Sequence, residues 1–130
     1  MADYYQQWSF EFEVSEAEKL WLETEFAKRS DDKAGADYGE CPFSNIYMEN
    51  EDNLACFYTT EYGDLTEMVH MLEEFVRLFK HKPIAIQWAD TCSKPRPDSF
   101  SGGAAIVTDK GTHWFTTGQW IDETLKGLGA

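Results

Sequence analysis

Residues 64–90, DLTEMVHMLEEFVRLFKHKPIAIQWAD, decide the fold class because they place a helix directly before a strand. Asp64, with Glu67 three residues on, is typical of a helix N-terminus, and Pro83 predicts the end of that helix. One apolar stripe recurs between them at helical spacing, formed by Leu65, Met68, Leu72, Phe75, Val76 and Phe79. Residues 84–90 then alternate in the manner of a strand.

The segment upstream repeats this combination in the opposite order, with a strand before a helix. Residues 7–14, QWSFEFEV, alternate apolar and polar side chains, which predicts a half-buried strand. Ser15 and Glu18 form a capping-box pattern that predicts a helix ending near Ser30. Turn-forming and acidic residues at 31–39 indicate a surface loop.

The other predicted elements are strands near 45–49, 54–60, 104–108 and 112–116 and a short helix over 118–127. The polar segment 49–53 has the composition of a hairpin connection. Gly111 has the position at which a tight hairpin requires a positive φ, and Gly127 that of a C-terminal helix cap.

The element order predicts a single α+β domain over residues 1–130. Its first six elements follow β-α-β-β-α-β, the ferredoxin-like pattern of an antiparallel sheet with helices on one face. A C-terminal β-hairpin and a short helix would extend that unit.

The charge of the chain is unusual and unevenly distributed. The formal net charge is −13, although 42% of residues are hydrophobic, which predicts a packed globule rather than a disordered acidic chain. Residues 1–74 carry 19 acidic and 4 basic side chains, whereas residues 75–130 carry 5 and 7. Such a field repels nucleic acid and anionic membranes and steers basic proteins toward the molecule.

The acidic side chains fall into three clusters, which we expect to form one partner-binding surface. They are Glu11 and Glu13; Asp31, Asp32, Asp37 and Glu40; and Glu49, Glu51 and Asp52, on a strand and two loops. An acidic surface maintains solubility, but a charge of this size exceeds the magnitude of about 2 to 8 that is usual for a small domain. The alternative is that the surface imitates a phosphate backbone and docks into a basic groove.

Localisation is predicted to be cytoplasmic. The N-terminal residues lack a signal-peptide pattern, and no apolar run approaches the roughly 18 residues of a membrane span. The three cysteines, Cys41, Cys56 and Cys92, are widely spaced and odd in number, which suits a reducing compartment.

A basic, glycine-containing segment supplies the alternative function. Lys94 and Arg96, with the backbone amides of Gly102 and Gly103, have the composition of a small site for an anionic ligand. The prolines beside the two cations equally favour an extended connection between strands.

Residues 91–108, TCSKPRPDSFSGGAAIVT, followed closely by Trp114, resemble a run found in small uncharacterised proteins of bacteriophages and bacterial mobile elements. The resemblance covers about the last third of the chain, and the element pattern is similar to the ferredoxin-like module of such proteins. It implies a phage or plasmid accessory protein and brings no catalytic residues with it.

Metal and catalytic chemistry are disfavoured. The potential metal ligands Cys41, Cys56, Cys92, His70, His81 and His113 show no close pair of the kind that zinc sites use, so no metal or cofactor is expected. Cys92 with His113 and Asp90 could form a nucleophilic site, but a buried structural cysteine is the commoner case. The five tryptophans predict core, a protein-binding patch or a contact between subunits.

The leading hypothesis is that this chain is a non-enzymatic protein that binds a basic protein. In its sharper form, the hypothesis is that the chain blocks a nucleic-acid-binding host factor by charge mimicry. An anion-binding protein or enzyme that uses Lys94 and Arg96, and an oligomeric structural protein, are the alternatives.

Overall fold

A computed structural model describes residues 4–30, 43–97 and 99–129. In chain order its elements are β1 (Tyr4–Glu13), α1 (Glu16–Arg29), β2 (Tyr47–Glu51), β3 (Leu54–Thr59), α2 (Leu65–Phe79), β4 (Ile84–Cys92), β5 (Ser101–Thr108), β6 (Gly111–Thr116) and α3 (Thr117–Gly127). The predicted α+β class is confirmed.

The six strands form one antiparallel sheet in the order β2-β3-β1-β4-β5-β6. The strands from the first half of the chain lie together, and those from the second half lie together. β1 and β4 are the two central strands, and they pair with each other from Tyr4 opposite Cys92 to Trp8 opposite Trp88.

The core lies on the side of the sheet that α1 and α2 cover. Trp8, Phe10 and Phe12 are buried at alternate positions of β1, as the sequence predicts. Phe75 of α2 lies 5.7 Å from Phe12 between ring centroids. Phe26 of α1 lies 5.9 Å from Phe57 of β3. Both helices therefore pack on the same side of the sheet.

Local capping interactions set where the two helices begin. The backbone amide of Glu18 donates to Ser15 Oγ at 3.2 Å, and the Ser15 amide donates to Glu18 Oε1 at 2.7 Å. The Glu67 amide donates to Asp64 Oδ1 at 3.1 Å. Both predicted N-termini are confirmed, and such a cap stabilises a helix by about 1 kcal/mol.

Several predicted boundaries were wrong. β2 begins at Tyr47 and extends through Glu51, so the connection to β3 is a two-residue turn and not the whole of 49–53. β5 begins at Ser101, which places Gly102 and Gly103 in a paired strand. Gly127 is the last residue of α3 rather than its cap. Gly111 does adopt the predicted positive φ, at 124°.

Within the described residues, no helix combines the length and apolar character that crossing a membrane requires.

Candidate functional site

Four carboxylates lie together on the side of the sheet opposite α1 and α2. Glu11 of β1 lies opposite Cys56 of β3, which lies opposite Glu49 of β2. Glu13 and Glu51 are placed in the same way on either side of Leu54. We call the set Glu11, Glu13, Glu49 and Glu51 the acidic face.

Strand geometry sets the dimensions of the acidic face. Neighbouring strands are about 4.8 Å apart, and residues on one face of a strand repeat every ~7 Å. The backbone positions of the four glutamates therefore occupy corners of a rectangle of about 10 by 7 Å. Glu11, Glu49 and Glu51 also line a shallow depression of about 90 Å³.

The acidic face is exposed, and no cation of the described residues forms an ion pair with it. All four glutamates are exposed. The ion pairs that form among residues 4–30, 43–97 and 99–129 join Lys28 and Arg29 to Glu25 and Arg29 to Glu74, and so include none of the four. The negative potential of the face is therefore available to a partner.

Two tyrosines extend the acidic face toward one end. Tyr58 Oη donates a hydrogen bond to Glu49 Oε1 at 3.0 Å, and this bond raises the pKa of the Tyr58 hydroxyl. The Tyr47 ring stacks on the Tyr58 ring with centroids 5.3 Å apart. The rings add apolar contact area directly beside the charge.

Cys56 lies at the centre of the acidic face, and its environment keeps the thiol protonated. Burial raises the pKa of Cys56, and the neighbouring carboxylates of Glu11, Glu49 and Glu51 raise it further. Because the thiolate is the nucleophilic form, this shift lowers the reactivity of Cys56.

The sheet order converts the uneven charge of the sequence into a spatial separation. β1, β2 and β3 come from the strongly acidic first 74 residues, and they form one half of the sheet. β4, β5 and β6 come from the nearly neutral remainder and form the other half. The molecule therefore has an acidic side, and the acidic face lies on it.

The other five predicted partner-binding residues are not assigned to the acidic face. Asp52 occupies the turn after β2 with φ 32°, and its carbonyl oxygen accepts a hydrogen bond from Lys19 Nζ at 3.1 Å. Four predicted residues lie outside the described residues: Asp31, Asp32, Asp37 and Glu40.

The predicted anion-binding residues are placed on different structures. Lys94 and Arg96 are exposed in the turn after β4, where the Arg96 amide donates to the Lys94 carbonyl at 2.9 Å. Gly102 and Gly103 pair with β4 instead of forming a loop. The Gly102 amide donates to Thr117 Oγ1 at 3.1 Å, so that amide is already used within the fold.

The proposed nucleophile and base do not meet. Cys92 lies on the same side of β4 as Trp88 and Ile84, which is the helix side of the sheet. His113 pairs with exposed Ile106 on the opposite side of the sheet. Asp90 accepts hydrogen bonds from Gln6 and Ser101 rather than from an imidazole. Among the residues described, no group of three or more histidine, cysteine, aspartate or glutamate side chains is arranged to hold a metal ion; Cys41 is outside them.

A cavity of about 630 Å³ involves Trp88, Asp90 and Trp114 and was not predicted from the sequence. Alternation along residues 84–90 places Trp88 and Asp90 on one side of β4. That Trp114 lies on the same side of the sheet as Trp88 and Asp90 follows only from the pairing of β4, β5 and β6.

No protein-family model, curated protein or solved structure matches this chain.

Proposed function

We propose that this protein binds a basic protein through its acidic face and occupies a surface with which that partner binds nucleic acid. The observation that carries the proposal is the arrangement of four exposed carboxylates in two rows across three adjacent strands, without ion-pair partners among the described residues. A polyanionic surface of this kind is complementary to a groove lined with lysine and arginine.

The tyrosine pair beside the acidic face supports a protein partner. Tyrosine is enriched at the energetically dominant positions of interfaces because it buries a large apolar ring while its hydroxyl keeps a hydrogen bond. Tyr47 is about half exposed, at 50%, and Tyr58 keeps its bond to Glu49. Charge would steer the encounter, and the two rings would add short-range contact.

In its sharper form, the proposal is an accessory protein of a phage or plasmid that blocks a nucleic-acid-binding host factor by charge mimicry. The resemblance of residues 91–108 to proteins of mobile elements favours this biological setting. We place the interaction in the cytoplasm, which the widely spaced cysteines favour.

Displacement of DNA tests this function. A fluorescently labelled duplex is first bound to each member of a panel of sequence-independent DNA-binding proteins, and the acidic protein is then added. We expect its addition to release the duplex from at least one member, with the release weakening as salt is raised. If the duplex stays bound in every case at low salt, the proposal is wrong.

We further infer that β1, α1, β2, β3, α2 and β4 form a ferredoxin-like unit. The position of β1 between β3 and β4 and the packing of α1 and α2 on one side of the sheet favour this assignment. β5, β6 and α3 would then extend the unit at its β4 edge.

Self-association is a second candidate function, and α3 is the element that favours it. None of its residues is buried. An apolar stripe runs along it and continues into its C-cap, formed by Trp120, Ile121, Leu125 and Leu128, each at least 46% exposed. We infer that a second copy of this chain covers the stripe. Residues 101–130 carry three acidic side chains and two lysines, so two copies that meet here would repel each other only weakly.

Replacing Leu125 with glutamate should abolish this self-association, because it buries a charge within the apolar stripe. Lys126→Gln changes the net charge by the same amount on the polar side of α3 and should leave association intact. Sedimentation velocity over a concentration series measures the outcome. A wild-type protein that remains monomeric throughout, or a Leu125→Glu variant that associates as wild type does, would contradict this candidate.

A further inference from the structure

A cavity away from the acidic face lies between the beginning of α2 and the end of β4. Its volume of about 630 Å³ falls within the usual range of ligand sites, ≈ 300–1,000 Å³. Trp88, Asp90, Trp114, Gln6 and Asp64 are among its lining residues. We call it the tryptophan cavity. It opens on the helix side of the sheet, so it is separate from the acidic face.

Two tryptophan rings form an aromatic wall of this cavity. The ring centroids of Trp88 and Trp114 are 5.9 Å apart, and their planes meet at 68°. β5 runs between them and places Gly103 opposite Trp88 and Ala105 opposite Trp114. Because these two residues are small, the rings approach each other above them. Two indoles at this angle present π-surface in two directions, as aromatic sites for organic cations do.

The charge of the tryptophan cavity is negative. Asp90 is held at both carboxylate oxygens, by Gln6 Nε2 at 3.1 Å and by Ser101 Oγ at 2.8 Å. Asp64 supplies a second carboxylate, which offsets the partial positive charge at the N-terminus of α2. Among the residues that the structure describes, no lysine, arginine or histidine lines the cavity. An anionic ligand would therefore be repelled both by the lining and by the net charge of −13.

We propose that the tryptophan cavity binds an organic cation, a substituted ammonium group, against the faces of Trp88 and Trp114 with Asp90 as the counter-charge. Tryptophan is the side chain whose face attracts such cations most strongly, and partial burial strengthens the attraction. The fixed orientation of the Asp90 carboxylate lowers the cost of ordering it when the ligand binds.

The test compares choline with 3,3-dimethylbutan-1-ol, which has the same shape and no charge. Binding is followed by the indole Nε1–H resonances in NMR spectra, which distinguish the five tryptophans. We expect choline to shift the Trp88 and Trp114 resonances and the neutral analogue to leave them unchanged at the same concentration. Equal shifts with both compounds would mean an apolar pocket without cation selectivity and would overturn the proposal, as would choline shifts confined to other residues.

Substitutions test the aromatic wall and the Asp90 counter-charge separately. Trp114→Leu and Asp90→Asn should each weaken choline binding by about tenfold. Phe115→Leu is the matched control, because Phe115 is similarly exposed, at 47% against 48%, and neighbours Trp114 on β6 but does not line the tryptophan cavity. Equal affinity in Trp114→Leu and Phe115→Leu would contradict the proposal.

The ammonium group could belong to a free small molecule or to a modified lysine of a protein. Titration with Nα-acetyl-trimethyllysine amide separates the two sources. Tighter binding of this amide than of choline assigns the site to a peptide-borne group, and the reverse order assigns it to a free ligand. Binding of neither cation would overturn the proposal while leaving the DNA-displacement result unaffected.

Discussion

Replacing Phe75 with alanine should lower the free energy of unfolding by about 3–5 kcal/mol. Phe75 is fully buried in α2. Its ring lies 5.7 Å from Phe12 of β1 and 5.9 Å from Trp21 of α1, so it joins both helices to the sheet. Alanine would remove these contacts and leave a cavity that the surrounding aromatic rings can only partly fill.

Chemical denaturation monitored by far-UV circular dichroism measures this effect. Leu78→Ala is the control, since Leu78 lies on the same helix but is 60% exposed and should change stability by less than about 1 kcal/mol. A typical domain is stable by only about 5–15 kcal/mol, so the Phe75 variant should unfold at clearly lower denaturant concentration. Equal midpoints for the two variants would show that Phe75 is not at the centre of the core.

Replacing Gly103 with alanine should destabilise the protein by about 3 kcal/mol, which is large for the addition of one methyl group. A Cβ atom at this position would overlap the carbonyl oxygen of Phe115 and the indole ring of Trp88. The carbonyl oxygen belongs to the backbone of the neighbouring strand, so β5 and β6 would have to separate, and the Trp88 ring would also have to move.

Gly118→Ala is the control for this experiment. A Cβ at Gly118 meets nothing within 4 Å, and alanine is the better helix former, so this variant should be as stable as wild type or slightly more so. The Trp88 indole resonance should shift in Gly103→Ala and stay in place in Gly118→Ala. If Gly103→Ala is as stable as wild type with an unmoved Trp88, the described packing of β5 is incorrect.

The parts of the fold that the sequence predicts are those determined by local interactions. Alternation along β1 identifies its buried residues because one face of a strand packs on the core. The caps at Ser15 and Asp64 are found because a side chain and an amide three residues later satisfy each other. None of these depends on distant parts of the chain.

The parts of the fold that were not predicted from the sequence depend on strand pairing. Segment 47–51 is polar at three of five positions, so its composition resembles a turn, and only pairing with β3 makes it a strand. The difference between the predicted loop and the observed strand matters for function, because the strand places Glu49 and Glu51 on the same side of the sheet as Glu11. Gly102 and Gly103 also have the composition of a turn, but they lie in a strand. Glycine is required at position 103 because a side chain there would overlap the Trp88 ring.

The acidic face was therefore predicted in its residues but not in its geometry. Glu11 and Glu13 were expected to be exposed on one side of β1, and they are. Their alignment with Glu49 and Glu51 requires β3 to lie between β1 and β2, a contact between distant segments that no local pattern encodes. The tryptophan cavity depends in the same way on three paired strands.

The most direct test of the central claim places equal charge changes at two different locations and repeats the DNA-displacement measurement. Glu11→Lys with Glu51→Lys removes charge from the acidic face and retains the bond between Glu49 and Tyr58. Asp109→Lys with Asp122→Lys gives the same net charge but changes the opposite half of the molecule.

We expect the acidic-face variant to associate with the basic partner about tenfold more slowly, to release less DNA and to show weaker salt dependence. The control variant should release DNA nearly as wild type does. If the two variants lose activity equally, binding depends on net charge alone, and the acidic face is not the site.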